Sequence, residues 1–153
     1  MLFCKTSIEF SGLIDSFRLV KKLIDIEPNC SVFFQQFDTN KTFVSVSPEK
    51  LFVRRKQNIC VDVIAGTKKL VSPNNVQQED YKEFLDNKKN KHEHQCVMDF
   101  LVEKCSRLAT DVNVKYRNKL LLLSKLVHLK SQIEAIVKPH VSDFDIIQLL
   151  HPT

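Results

Sequence analysis

Two glutamates in this 153-residue chain stand in local sequences that could support chemistry. Glu49 closes a Ser-Pro-Glu turn between two predicted strands, where Pro48 fixes the backbone and a carboxylate can be held rigidly at a sheet end. Glu93 follows a Lys-rich stretch and offers a hard oxygen ligand of the kind that Mg²⁺ prefers. Each also has an ordinary interpretation, since Glu49 could be an exposed turn residue and Glu93 a solvated helix residue beside lysines.

Two histidines flank Glu93 and raise the alternative of a zinc site. His92 and His94 are two residues apart. In a helix, residues at this spacing point roughly 200° away from each other, so both imidazoles could not face one metal ion. If the segment is helical, a His-x-His zinc site is therefore excluded.

Two further positions could contact a ligand. Ala65-Gly66-Thr67 follows a predicted strand, where small residues let a backbone approach a ligand and the Thr67 hydroxyl can bind a carboxylate. His128 lies in the apolar, strand-like segment 126–129. The alternatives are a simple exit from a strand for the first and a satisfied sheet histidine for the second.

The elements that must position these residues can be predicted from periodicity and turn residues. Apolar residues at helical spacing predict a first helix from Asp15 or Ser16 to a point before Pro28. Segments rich in Val, Ile and Phe predict a meander of antiparallel strands at 31–37, 42–47, 50–55 and 59–64.

The second half of the chain predicts helices that pack against a sheet. Ser72-Pro73 is typical of a helix start and opens a long helix that breaks near Asn87, after which 120–137 returns to strand-like composition. Ser142 and Asp145 form a capping-box pattern for a last helix that ends near Leu150. This order of elements predicts a single α+β unit.

Composition limits the classes of partner. The chain has 43% hydrophobic residues, enough for one core, and only two glycines, which argues against Gly-rich phosphate loops. Its net charge of +5 and pI near 9.0 favour anionic partners, either a dicarboxylate or a nucleic acid. The run Lys88-Lys89-Asn90-Lys91 contains no aromatic residue, so we expect a solvated helix face and no nucleic-acid partner.

Cysteine spacing and hydropathy indicate the compartment. The five cysteines include no C-x-x-C pair, which predicts neither a disulfide framework nor a zinc knuckle. A reducing, cytoplasmic location is therefore expected. No segment approaches the roughly 20 apolar residues that span a bilayer, so no membrane partner is expected.

Taken in order, these motifs resemble the chorismate-binding enzymes, and most closely the isochorismate synthases. The matching segments are Ser47-Pro48-Glu49, Ile64-Ala65-Gly66-Thr67, Lys88 to His94, His128-Leu129 and Leu150-His151-Pro152-Thr153. Members that aminate chorismate follow Glu-His with an Arg-Asn-Asp-Leu stretch, whereas this chain has 95–100 as Gln-Cys-Val-Met-Asp-Phe. The resemblance therefore favours the isochorismate branch.

The resemblance implies a fold, a reaction and a set of residue roles. It implies part of a chorismate-binding domain that converts chorismate to isochorismate with Mg²⁺, for menaquinone or siderophore synthesis. Glu49 would match the general acid and Glu93 a Mg²⁺ ligand. Gly66, Thr67 and His128 would line the substrate pocket.

The chain also departs from the family pattern at both ends. The family places its base, a lysine, before the first helix; the only early lysine here is Lys5, in a different sequence context. The family's second carboxylate ligand comes after the His-Pro-Thr motif, with which this chain ends. We therefore expect residues 1–153 to be the N-terminal part of a catalytic domain that is inactive alone. The alternative is a non-catalytic remnant or interaction module that a second polypeptide completes.

Overall fold

The computed structural model describes residues 12–39, 41–70 and 78–151. Within these ranges, helices and antiparallel strands alternate, which confirms the predicted α+β class. The elements are α1 (Ser16–Ile26), β1 (Ser31–Gln36), β2 (Thr42–Ser47), β3 (Val53–Arg55), β4 (Asn58–Lys69), α2 (Gln78–Asp86), α3 (Lys88–Leu108), β5 (Ala109–Leu122), β6 (Leu126–Val137) and α4 (Asp143–Leu150).

Local capping residues set the helix boundaries. The Asp15 carboxylate accepts the Arg18 backbone N–H at 3.0 Å and begins α1, as predicted. Asn87 breaks the predicted long helix into α2 and α3, because its side chain caps α3 by accepting the Asn90 N–H at 3.0 Å. The capping box of Ser142 and Asp145 begins α4. The helix start predicted at Ser72-Pro73 lies outside the described residues.

The predicted four-strand meander is correct for two of its three pairings and wrong for the third, because β2 and β3 lie in different sheets. β1 and β2 form a separate two-stranded antiparallel sheet, and β3 joins a four-stranded sheet in the order β3-β4-β6-β5. The three-residue β3 covers only Asn58 to Cys60 of β4, whereas β6 pairs with β4 from Asn58 to Lys69. Strand composition predicts where strands lie, but it does not predict which strands pair when they are far apart in the sequence.

One long strand escaped the sequence prediction. The strand-like segment predicted at 120–137 is an antiparallel hairpin of β5 and β6, and β5 extends back to Ala109. Most of the β5 residues before Leu120 are polar, and many are exposed. β5 lies at the sheet edge, where polar residues are tolerated. Its composition therefore lacks the apolar pattern that predicts a buried strand.

The core lies between α3 and one face of the larger sheet. The buried helix residues Met98, Leu101 and Cys105 pack against strand residues that include Val61 and Ile133. Each large aliphatic side chain buried in this way contributes about 1.5–3 kcal/mol relative to exposure. Because strand residues alternate, the intervening residues of β4 and β6 face away from α3.

The smaller sheet is covered on one face. Phe17 of α1 packs on Phe34 of β1, with ring centroids 5.0 Å apart. On the opposite face Phe33 and Phe43 form an edge-to-face pair with centroids 6.0 Å apart, and they are 54% and 51% exposed. Among the described residues, no helix combines the length and apolarity needed to cross a bilayer.

Candidate active site

A short turn holds Glu49 against the edge of β4. The Ser47 hydroxyl donates to the Glu49 carbonyl at 3.1 Å, and the Glu49 N–H donates back to the Ser47 Oγ at 3.4 Å. The Glu49 Oε1 then accepts the backbone N–H of Ile64 at 3.3 Å. The Ser-Pro-Glu turn thus places the carboxylate beside the middle of β4, and not at the sheet end that the sequence predicts.

Burial and charge together favour the protonated form of Glu49. Burial is the largest cause that raises the pKa of Glu49, and the negative charge of Asp62 raises it further. The Ile64 N–H and the positive charge of Lys130 oppose this shift. The side chain is exposed overall, and the upward direction of its pKa shift is the one that a general acid requires.

Asp62 anchors the charges around Glu49. The Asp62 side chain is 7% exposed; its Oδ2 accepts from Lys130 Nζ at 2.9 Å and its Oδ1 from Gln132 Nε2 at 3.1 Å. A cavity of about 140 Å³ lies between this group and Glu49, with Leu101 also in its wall. Because Asp62 binds the Lys130 ammonium directly, that ammonium is held away from a full pairing with Glu49.

Gly66 forms a bulge in β4 that only glycine accommodates easily. The pairing register with β6 shifts between Ala65 and Thr67, and Gly66 has φ +81°. A Cβ atom at Gly66 would lie 3.3 Å from Asn90 Cβ. The bulge therefore combines a left-handed backbone with a close approach of α3.

The bulge brings three predicted site residues together. Thr67 lies opposite His128 in the strand register, and Thr67 Oγ1 and His128 Nδ1 are 2.9 Å apart and hydrogen-bonded. Burial lowers the pKa of His128, while a hydrogen bond to the Gly66 backbone opposes the shift. A neutral imidazole, a hydroxyl and an irregular backbone form a group that can hydrogen-bond a carboxylate.

The two histidines of the His-Glu-His sequence diverge, as the helical spacing predicts. His92 is exposed and lies 3.7 Å from Cys96 Sγ, whereas His94 is 2% exposed. His94 Nδ1 is 3.1 Å from the Ala65 carbonyl oxygen, and its Nε2 is 2.7 Å from Ser131 Oγ. The sequence interpretation gave His94 no role, although it begins the apolar stripe that continues at Met98 and Leu101.

Glu93 lies in solvent one position before His94. Its side chain is 50% exposed, and its Oε1 is 3.8 Å from Lys89 Nζ. Val97 and Leu101 follow at four-residue intervals, so Glu93 begins the helix flank whose Leu101 borders the Glu49 cavity. A solvated carboxylate suits Mg²⁺, which keeps several waters and takes one or two carboxylates. Within the described ranges, no group of three metal-binding side chains forms.

Two features of the sequence comparison fall beyond the described residues. Lys5, the early lysine considered as a base, lies in 1–11. The end of the Leu-His-Pro-Thr motif lies in 152–153, whereas Leu150 is buried at the end of α4. The described site thus contains Glu49, the Gly66 bulge with Thr67 and His128, and the flank of α3 with Glu93.

The described residues thus form an α+β fold in which a turn places Glu49 against β4 and a bulge in the same strand pairs Thr67 with His128. The whole sequence, residues 1–153, matches the family described as chorismate binding enzyme. The chain therefore belongs to the chorismate-binding enzymes.

The curated relatives agree with this assignment. Isochorismate synthase MenF of Bacillus subtilis (strain 168) is 31% identical over 155 residues, which cover 95% of this chain and 31% of that protein. Isochorismate synthase MenF of Pasteurella multocida (strain Pm70) is 27% identical over 124 residues, covering 81% of this chain and 28% of that protein. The chain thus spans about a third of the length of these relatives.

Solved structures show the same fold. Menaquinone-specific isochorismate synthase MenF of Escherichia coli superposes with a TM-score of 0.81 at 22% identity, covering 94% of this chain and 33% of that one. DhbC of Bacillus anthracis gives a TM-score of 0.84 at 21% identity, covering 94% and 39%. Both similarities extend over nearly all of this chain, which confirms that its fold is that of part of a chorismate-binding enzyme.

Proposed function

We propose that this chain forms the part of an isochorismate synthase site that binds chorismate and Mg²⁺ and supplies the general acid. The observation that carries the proposal is the position of Glu49, whose carboxyl accepts the Ile64 N–H beside a cavity; burial also raises its pKa. The similarity to isochorismate synthases supports the choice of substrate. Free thiols at the four described cysteines support a cytoplasmic location.

The proposed mechanism assigns each group a step. Water adds to the chorismate ring and gives up a proton to a base that none of the assigned residues provides, while Glu49 donates a proton to the allylic hydroxyl, which departs as water. Thr67 and His128 bind a substrate carboxylate, and the Gly66 bulge lets the ring approach the backbone. Glu93 would hold Mg²⁺, which when bound supplies charge that offsets a substrate carboxylate.

We further propose that the chain binds without turnover. Catalytic groups that act as a unit lose most of their effect when one is removed. On these assignments the described residues would supply one acid, Glu49, and one carboxylate for the metal, Glu93. Product formation should then stay at the uncatalysed rate.

The test is calorimetric binding of chorismate to the full chain, with and without Mg²⁺. We expect Mg²⁺ to strengthen chorismate binding, E93Q to remove most of that Mg²⁺ dependence, and E49Q to retain it. Glu103 is the matched control, because it is another exposed α3 glutamate with a basic partner four residues away. E103Q should therefore bind like the parent chain.

Three results would count against these proposals. No chorismate binding at any Mg²⁺ concentration would overturn the proposed function. Equal Mg²⁺ dependence in E93Q and E103Q would overturn the metal role of Glu93 alone. Formation of isochorismate by the chain alone, followed by chromatography, would overturn only the proposal of inactivity.

One observation favours the alternative of an interaction module. The smaller sheet exposes Phe33 and Phe43 on the face opposite α1, and apolar patches of this kind commonly mark protein contacts. A module that a second polypeptide completes would associate through this face without binding chorismate. The same calorimetric experiment therefore separates the two functions.

A further inference from the structure

His94 connects three elements from inside the core. It lies on α3, its Nδ1 contacts the Ala65 carbonyl of β4 at 3.1 Å, and its Nε2 contacts Ser131 Oγ of β6 at 2.7 Å. Ser131 is fully buried. A buried polar group of this kind is costly unless every donor and acceptor is paired, so these contacts fix the ring in one orientation.

The partners of the ring determine which nitrogen carries the proton. A backbone carbonyl oxygen can only accept, so the Nδ1 of His94 must donate to Ala65. In the neutral ring Nε2 then accepts the Ser131 hydroxyl proton, and Ser131 Oγ in turn accepts the Asn118 backbone N–H at 2.9 Å. The chain of hydrogen bonds from Asn118 to Ala65 is complete only for the Nδ1–H tautomer.

Both halves of the candidate site lie next to this ring. Ala65 directly precedes the Gly66 bulge, which carries Thr67 and faces His128. Glu93 directly precedes His94 on α3, and Asn90 of the same helix contacts the bulge. The His94 side chain thus links the helix that carries Glu93 to the strand that carries the bulge.

We propose that His94, as the Nδ1–H tautomer that the Ala65 carbonyl fixes, is a positioning residue that sets the Gly66 bulge and Glu93 at a fixed separation. This inference rests on the proposed function for its effect on ligands. His94 acts through the Ala65 carbonyl and through its own helix and touches no substrate. Loss of the His94 side chain should weaken the binding of chorismate and of Mg²⁺ together, because both the bulge and Glu93 would be displaced.

Two amide substitutions separate the two contacts of the ring. In H94N the side-chain nitrogen takes the place of Nδ1 and can still donate to Ala65, whereas in H94Q it takes the place of Nε2 and cannot. Losing a residue that orients a metal-binding group typically costs roughly 10–100-fold in metal affinity. We expect H94Q to weaken chorismate and Mg²⁺ binding by about tenfold, and H94N to recover most of that loss.

The matched control is H92Q, which makes the same change on the same helix at an exposed histidine. H92Q should leave the affinities for chorismate and Mg²⁺ within twofold of those of the parent chain. Surface substitutions usually change free energies by no more than about 0.5 kcal/mol. Nitrogen-15 spectra of the parent ring should show a protonated Nδ1 and an unprotonated Nε2. S131A, which keeps the Ala65 bond, should retain the protonated Nδ1 and so tests the Ala65 contact even if H94Q folds poorly.

Each outcome decides a separate point. A ring protonated at Nε2, or H94Q binding as tightly as H92Q, would overturn the positioning role. If the parent chain binds neither chorismate nor Mg²⁺, the proposed function is wrong. The positioning role is then judged by the amide signals of Gly66 and Thr67, which are distant in sequence from both histidines. These signals must shift in H94Q, return in H94N and stay unchanged in H92Q.

Discussion

At the scale of single residues, the charges around Glu49 determine whether it can act as an acid. Asp62 raises the pKa of Glu49, and Lys130 lowers it. The two are bonded to each other at 2.9 Å, so each also limits what the other does to Glu49. Removing the charge of either residue should therefore shift the Glu49 pKa, and the sign of the removed charge determines the direction of the shift.

Single substitutions of Asp62 and Lys130 should shift the Glu49 pKa in opposite directions. D62N removes a negative charge and releases Lys130, so the Glu49 pKa should fall. K130Q removes a positive charge, so the Glu49 pKa should rise. Carbon-13 NMR titration of the Glu49 carboxyl measures both, and D62N/K130Q is the charge-balanced control. Shifts of the same sign in both single variants would show that the pair does not tune Glu49.

The raised pKa of Glu49 also predicts how stability depends on pH. Below the unfolded-state pKa, Glu49 is protonated in both states and the shift has no effect. As the pH rises through the window between the unfolded and the raised folded pKa, the unfolded chain releases its proton first, so folding stability falls. E49Q should abolish this fall in stability. The fall should amount to less than about 1 kcal/mol, because the group is partly exposed. Urea unfolding at pH 4 and pH 7 measures it.

At the scale of elements, Gly66 fixes the contact between β4 and α3. G66A would place a Cβ in a left-handed backbone and 3.3 Å from Asn90 Cβ. The backbone strain alone costs about 1–2 kcal/mol, and crowding by α3 adds to it. Urea unfolding should show the loss, and chorismate affinity should fall with it.

Gly12 provides the control for this prediction. It also has positive φ, at +123°, but a Cβ there would meet nothing within 4 Å. G12A should therefore show strain without crowding, and the difference between the two variants isolates the contact with α3. Equal losses in G12A and G66A would mean that the close approach of the helix contributes nothing.

Elements with local signals were predictable from the sequence, and those defined by distant pairing were not. Asp15, Asn87 and Ser142 mark helix starts by their own side-chain chemistry, so these boundaries were found. The β4–β6 pairing and the polar edge strand β5 depend on contacts far apart in sequence. The same limit explains why Gly66, Thr67 and His128 were candidates while the link through His94 and Ser131 was missed.

At the scale of the whole molecule, the two sheets differ in how fully they are covered. The larger sheet buries one face under α3, and this face forms the core. The smaller sheet leaves Phe33 and Phe43 half exposed, and α1 also presents Phe17 at 63% exposure. Apolar side chains grouped in this way favour association in water, because contact removes their surface from solvent.

The chain should therefore self-associate through the smaller sheet at high concentration. F33T/F43T replaces the exposed pair with a residue that strands favour, so it should shift sedimentation toward monomer while unfolding free energy changes by less than about 1 kcal/mol. F144Q is the matched control, because Phe144 on α4 is 65% exposed and lies outside this sheet. It should leave the sedimentation profile unchanged. If F33T/F43T associates as strongly as the parent, the contact between copies of the chain lies outside the smaller sheet.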